Sequence, residues 1–437
     1  MNNKVEPRTL SGFMELNPDD QIIFDNMMNI IKDTYKKYGY WGLDTPIIEY
    51  SSVLLAKAGG ETEKQIYRFE KGDNDLSLRF DLTVPLAKYV AQKYNELTFP
   101  FKRYQIGKVF RGERPQKGRF REFYQCDIDV IGDEELSLNY DAEIPSIIYD
   151  VFSKLNIGKF VIRINNRKVL NGFFNNLELS DKRVDILRIV DKMEKVSIDD
   201  IKEMFKELNI SDDKIDKILK FVNIKGNNKE IINSLRNLNI TNEEFIKGID
   251  ELEIVVNTLN DMNIPSENYN IDLTIARGLD YYTGTVYETR LVDYPGIGSV
   301  CSGGRYDNLA EFYTDKKLPG VGISIGLTRL FYQLKEAGII KDSFNGCADI
   351  MVVPMSDNIK YTSIVANKLR SINKTVNVCY MDKKFKSKMK YANNTNVKYS
   401  VIIGEDEISN NSVSIKNMTT GDQETIKIDD LESYFTR

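Results

Sequence analysis

A chain of 437 residues with 41% hydrophobic and 29% charged residues is globular and too long for one ordinary core, so two or three domains are expected. Its net charge of −5 excludes a generally basic nucleic-acid coat and confines any nucleic-acid contact to local patches. With no histidine at all, it has no imidazole base and no Ser-His or Cys-His nucleophile, which leaves arginines, carboxylates, tyrosines or the substrate itself to carry chemistry.

Residues 1–16 are polar and read as lying along a domain edge. Pro18, Asp19 and Asp20 open a predicted helix whose apolar positions Ile22, Ile23, Met27, Ile30, Ile31 and Tyr35 recur at helical spacing, and Gly39 ends it. WGLDTPIIEYSSVL follows as a strand interrupted by Pro46, which suits an edge or a bulge. ETEKQIYRFE and LSLRFDLTV are predicted as a hairpin turning at residues 72–75, with Asp81 and Thr83 sharing one face of the second strand. A helix is expected after Pro85.

Residues 101–132, FKRYQIGKVFRGERPQKGRFREFYQCDIDVIG, read as two strands joined by an arginine-rich loop. On the second strand Phe123, Gln125, Asp127 and Asp129 alternate onto one face and Tyr124, Cys126, Ile128 and Val130 onto the other. On the first, Arg111 and Glu113 also share a face, and the loop brings Arg114, Lys117, Arg119 and Arg121. Guanidinium groups clamp phosphate, a flat aromatic covers a base, and carboxylates hold a cationic group, so this set fits a nucleotide. A solvated hairpin with surface ion pairs would carry the same alternation.

From 177 to 262 the chain changes to successive amphipathic helical runs separated by Ser, Asn or Asp, and the strand pattern resumes at Asn270. Residues 335–347 read as a linker. Beyond it strands and helices alternate as an α/β domain, with a lysine run of Lys383, Lys384, Lys386, Lys388 and Lys390 that fits either a solvated face or phosphate contacts. Cys126, Cys301, Cys347 and Cys379 lie far apart, so zinc is not expected and the thiols read as reduced and buried. No stretch approaches the roughly 18 apolar residues of a membrane span, and the N-terminus has no basic region before an apolar run, so a cytoplasmic protein is expected.

Arg111-Gly112-Glu113 with RPQKGRFREFYQ resembles motif 2 of class II aminoacyl-tRNA synthetases in the form found in histidyl-tRNA synthetases. ARGLDYYTGTVYE at 276–288 and SGGRYDNL at 302–309 resemble that family's two histidine-pocket motifs, and GVGISIGLTRL at 320–330 resembles motif 3. The resemblance implies an α+β fold: an antiparallel-sheet catalytic domain over residues 1–335, interrupted by a helical insertion domain at 177–262, then an α/β anticodon-binding-like domain at 347–437.

The resemblance also implies histidine–tRNA ligase activity, in which L-histidine and ATP give histidyl-adenylate and the histidyl group passes to the 3′ end of tRNA(His) in a homodimer. Arg111 would hold the α-phosphate and Arg277 the reacting oxygens, as the catalytic pair. Glu113 and Phe123 would receive adenine, with Arg119 and Arg329 at the outer phosphates and Mg2+ carried by them. Asp81, Thr83 and Gln125 would hold the α-amino group; Asp129, Tyr281 and Tyr282 would face the imidazole, and Tyr306 would close the pocket. Arg111 and Arg277 would also border the histidine. The aspartates of FDLT and CDID stand where some bacterial members carry glutamates. The alternative is a histidine-binding regulatory relative similar to the regulatory subunit of ATP phosphoribosyltransferase, which binds histidine without charging tRNA.

Overall fold

The structure, a computed structural model, describes residues 4–56, 61–114 (main chain alone at 61 and 62), 117–190, 192–193, 196–275, 281–340, 346 and 348–436. They form two compact units: residues 1–15 with 24–340, and residues 16–23 with 341–437. The elements run α1 (Pro18–Lys37), β1 (Trp41–Gly42), β2 (Ile48–Tyr50), α2 (Ser51–Leu54), α3 (Glu61–Gln65), β3 (Arg68–Lys71), β4 (Asn74–Leu78), α4 (Thr83–Lys93), β5 (Phe101–Phe110) and β6 (Glu122–Ile131). Next come α5 (Asn139–Leu155), β7 (Phe160–Asn166), α6 (Arg167–Asn176), α7 (Arg183–Val190), α8 (Ile198–Glu207), α9 (Asp212–Val222), α10 (Asn228–Arg236) and α11 (Glu243–Asp261). The first unit closes with β8 (Tyr269–Ile271), β9 (Thr285–Leu291), β10 (Ser299–Tyr306), β11 (Gly320–Gly326) and α12 (Leu327–Glu336).

An eight-stranded sheet in the order β1-β5-β6-β11-β10-β9-β7-β8 organises this unit. β5 and β6 pair antiparallel without slippage from Phe101↔Ile131 to Phe110↔Glu122. From Gln125 to Ile131 every residue of β6 is buried, polar or not. Gln125, Asp127 and Asp129 are 9%, 2% and 3% exposed, which excludes the solvated hairpin: the polar face of β6 is the inside of something.

Sequence expectations for residues 41–113 are corrected in four places. Residues 61–65 are helical before strand β3, and LSLRFDLTV is not one strand, since β4 ends at Leu78 and α4 already begins at Thr83. The Asp81 carboxylate accepts the Val84 N–H at 3.0 Å and so satisfies an orphan donor at the helix start. Pro85 falls in the first turn, where a missing N–H is harmless. Likewise WGLDTPIIEYSSVL is not one interrupted strand but β1, β2 and α2. β5 stops at Phe110, so Arg111 and Glu113 lie just past the strand, with the Arg111 N–H to Arg121 carbonyl bond (2.9 Å) extending the ladder by one step.

The helices from α7 to α11 carry their own start signals, such as the Asn227–Glu230 capping box on α10 and the Asn242 cap on α11. The second unit carries β12 (Ile350–Pro354), α13 (Ile359–Ser371), β13 (Val376–Val378), α14 (Phe385–Asn394), β14 (Tyr399–Ile403), α15 (Glu405–Ser409), β15 (Ser412–Asn417), β16 (Gln423–Lys427) and α16 (Leu431–Phe435). Its sheet runs β13-β12-β14-β15-β16, parallel across the first three strands and antiparallel beyond. Ile350, Val352, Val365, Leu369, Val401 and Val413 make its core. Among the described residues no helix is long and apolar enough to cross a membrane.

Candidate functional site

A cleft of about 410 Å³ opens over the polar face of β6. Ten of the residues picked out from sequence line it: Asp81, Thr83, Arg111, Glu113, Arg119, Phe123, Gln125, Tyr281, Tyr282 and Arg329. Asp129 and Tyr306 line a smaller recess of about 20 Å³, whose wall shares Thr83, Tyr281, Tyr282 and Ser324 with the cleft. Arg277, Pro115, Gln116 and Cys347 lie outside the described residues. Cys126, Cys301 and Cys379 are buried free thiols, with Cys301 on the cleft wall.

At the outer end the site is cationic and positioned. Arg111 donates its Nε–H to the Phe80 carbonyl at 3.0 Å, and its guanidinium carbon stands 5.2 Å from the centre of the Phe123 ring. Arg329, in the first turn of α12, reaches the Ile297 carbonyl at 3.3 Å, and its buried Nε has no partner among the described residues. Desolvation, then repulsion from Arg119, pushes its pKa down. Arg119 is half-exposed and only 4.0 Å from Glu113. Two guanidinium groups repelling each other in one cleft constitute an anion site.

At the inner end the site is acidic. Asp81 Oδ2, Gln125 Oε1 and Asp127 Oδ1 are buried acceptors without a partner among the described residues. Burial raises the Asp81 carboxyl to about 6, opposed by the Val84 N–H and by Arg111. Burial also raises Asp127 to about 7, opposed by Arg103 and reinforced by Asp129. Asp129 is raised as well, by burial first. It accepts the Tyr306 hydroxyl at 2.7 Å and its other oxygen lies 2.8 Å from an Arg103 nitrogen. That approach is too oblique for a hydrogen bond and acts as an ion pair.

Glycines make the room. A Cβ at Gly322 would stand 2.0 Å from Asp129 Oδ1, one at Gly320 would strike the Tyr306 ring at 2.4 Å, and one at Gly304 the Tyr282 ring at 2.9 Å. Gly320 and Gly322 belong to the stretch that resembles motif 3, where glycines suit close backbone approach to a ligand. Arg103 was not among the residues expected in the site, and Asp127 was placed on the polar face without a role. Arg103 is fully buried, faces Asp129 across the β5–β6 ladder and donates to the Leu82 carbonyl at 3.1 Å. Strand alternation was the available signal, since Asp127 shares a face with Gln125 and Asp129.

The acidic end makes stability depend on pH. Asp81 and Asp127 keep their protons to higher pH when folded than an unfolded aspartate near 3.9 does, so the folded state binds more protons between about pH 4 and 7. Stability from this source is therefore present at low pH and lost as pH rises to 7. The groups facing Asp127 are Arg103 on β5, Asp129 on its own strand, Asp81 ahead of α4 and Ser324 on β11. Asp127→Asn is expected to flatten the decline, by up to about 1.4 kcal/mol per pH unit over the window. Thermal unfolding midpoints at pH 4.5, 6 and 8 check this: the variant should match wild type at the low end and exceed it at the high end.

A family model described as Histidyl-tRNA synthetase matches residues 12–330, and one described as Anticodon binding domain matches 349–437. The histidine–tRNA ligase of Clostridium tetani is 58% identical over 428 residues, covering 98% of this chain and 97% of that one. The crystal structure of histidyl-tRNA synthetase from Nostoc sp. has a TM-score of 0.91 at 40% identity, covering 99% of this chain and 100% of that one. An ATP phosphoribosyltransferase regulatory subunit/histidyl-tRNA synthetase from Bacillus halodurans, at 18% identity and TM-score 0.76 with 92% and 99% coverage, is alike in fold alone.

Proposed function

The chain belongs to the histidyl-tRNA synthetase family, and from that premise we propose how its residues divide the work of an ATP-dependent histidine–tRNA ligase. A histidine carboxylate oxygen attacks the α-phosphorus of ATP, the bond to pyrophosphate breaks, and histidyl-adenylate forms. The histidyl group then passes to the 3′ end of tRNA(His). The observation that carries this reading is that one cleft holds both kinds of group: the guanidiniums of Arg111, Arg119 and Arg329, and the buried acceptors of Asp81 and Gln125 that have no partner among the described residues.

Arg111 holds the α-phosphate oxygens where negative charge builds up, a role supported by its fixed orientation between the Phe80 carbonyl and the Phe123 ring. Arg277 is assigned beside it by motif resemblance. Phe123 and Glu113 take adenine, and Arg119 and Arg329 take the outer phosphates. Asp81 Oδ2 and Gln125 Oε1, with Thr83, suit the three N–H donors of an α-ammonium group. Asp129, Tyr281, Tyr282 and Tyr306 enclose the imidazole. Among the described residues no cluster of three His, Cys, Asp or Glu side chains is placed to hold a metal. Magnesium is proposed to be carried on the ATP phosphates, where it would offset phosphate charge.

We assign residues 1–335 to the catalytic domain with 177–262 as its insertion, and 347–437 to the anticodon-binding domain. The loop from Arg114 to Arg119 is proposed to meet the tRNA acceptor end, and Lys383, Lys384, Lys386 and Lys390 the phosphates near the anticodon; Lys388, expected with them, instead donates to the Pro354 carbonyl at 2.6 Å. Trp41, Ile48 and Tyr50 are exposed on short strands, which supports a homodimer that covers them. The cytoplasm is the proposed compartment. The regulatory reading is not favoured, because its structural relative shares only the fold while the full-length 58% identical relative is a ligase.

Histidine-dependent exchange of pyrophosphate into ATP is the expected activity of the purified chain. Histidine binding with no exchange, in folded protein, would overturn the ligase assignment in favour of the regulatory one.

A further inference from the structure

We infer that Asp127 is a specificity-determining residue of the amino-acid site, its Oδ1 accepting an N–H of the substrate's imidazole ring at the floor of the recess. This rests on the proposed function, in that the recess takes the side chain of histidine.

Register puts Asp127 between Gln105 on β5 and Ser324 on β11, in the middle of the polar face. It is 2% exposed and lines the recess but not the outer cleft, whereas Asp81 and Gln125 line the outer cleft but not the recess. The unpartnered acceptors of Asp81 and Gln125 thus belong to the outer cleft and that of Asp127 to the recess. Those of Asp81 and Gln125 lie where the α-amino end of an amino acid would sit, and that of Asp127 lies where its side chain would end.

Asp129, assigned to the ring by motif resemblance, is already engaged. One oxygen accepts the Tyr306 hydroxyl at 2.7 Å and the other is 2.8 Å from the Arg103 guanidinium. Asp127 stands opposite Ser324 in the β6–β11 register, and its Oδ1 has no partner among the described residues. Ser324 is itself held by the Gln125 side-chain amide, which donates to its Oγ at 2.8 Å. A buried acceptor left open is costly, and a ligand N–H removes that cost. A ring of the same size lacking N–H leaves it standing, which is how a polar pocket rejects an isostere. Tyr282, opposite in the recess wall, has its hydroxyl pKa raised by burial and then by the charges of Asp129 and Asp127, so it stays a donor for the ring's second nitrogen.

The test is isothermal titration of wild type and Asp127→Asn with L-histidine, with ATP and with L-β-(2-thienyl)alanine, whose ring has no N–H. Wild type that fails to bind histidine would sink the functional reading itself and is scored separately. With wild-type binding in hand, Asp127→Asn is expected to weaken histidine 10- to 100-fold, to change ATP affinity less than 2-fold and to leave thienylalanine unchanged, so that selectivity falls with affinity. Histidine affinity within 2-fold of wild type, or equal losses for histidine and thienylalanine, would overturn the inference. If Asp127→Asn does not fold, ring-15N-labelled histidine bound to wild type gives the answer. The chain has no histidine, so every imidazole signal is the ligand's. A ring N–H proton with cross-relaxation to the Ser324 β-protons is expected, and its absence refutes the assignment.

Discussion

Arg111→Ala is expected to lower the rate of histidyl-adenylate formation by on the order of 10² to 10³, because one fixed donor to a developing oxyanion is worth about that much. The side chain is held before substrate arrives, by the Phe80 carbonyl and the Phe123 ring, so no reorganisation offsets its contribution. ATP binding should fall far less, since Arg119 and Arg329 remain in the same cleft. Single-turnover rates alongside ATP titration separate the two. Losses of equal size in affinity and rate would reduce Arg111 to a ground-state contact. Arg111→Lys should recover little, since a point charge replaces neither the fork nor the contact with the ring.

Arg103→Met is expected to destabilise the unit that holds the large sheet by about 3–5 kcal/mol, the usual consequence of removing one partner of a buried charge pair. Arg103 is fully buried and pairs with Asp129 at 2.8 Å, and its charge also opposes the burial of Asp127. Without it both carboxyls can reach a low-energy state only by taking up protons, so the loss should grow from pH 5 to pH 8. Urea unfolding followed at both pH values reads it. Adding Asp129→Asn should restore part of the stability, because the uncompensated charge goes with it. A single variant as stable as wild type would show that both carboxyls are neutral without Arg103.

Strand alternation from Phe123 to Asp129 made the polar face of the site legible in the sequence, because a period of two admits only one sorting of those side chains. What alternation could not give was burial. A strand with Gln125, Asp127 and Asp129 on one side reads equally as solvent-facing, and only its place inside an eight-stranded sheet, with β5 and β11 on either side, turns the carboxylates inward. The start of α4 was misplaced for a local reason. Phe80, Leu82 and Val84 alternate like a strand, but Asp81 caps a helix that Pro85 can enter. Arg103 escaped notice because a lone arginine in FKRYQIG looks like surface, and its partner lies 26 positions further along the chain.

The glycine at 322 bears on inhibitors and escape from them. A compound that fills the recess rests against main chain there, and main chain has no rotamers with which to move aside. Nor has the gene a simple reply, since even alanine at 322 would bring a Cβ to 2.0 Å from Asp129 Oδ1 and collide with the group the recess is built around. With histidine in the recess as proposed, substitutions that block such a compound at this wall would block the substrate by the same atoms. Resistance would have to arise at the outer cleft instead, where Arg119 is half-exposed and 4.0 Å from the Glu113 carboxylate.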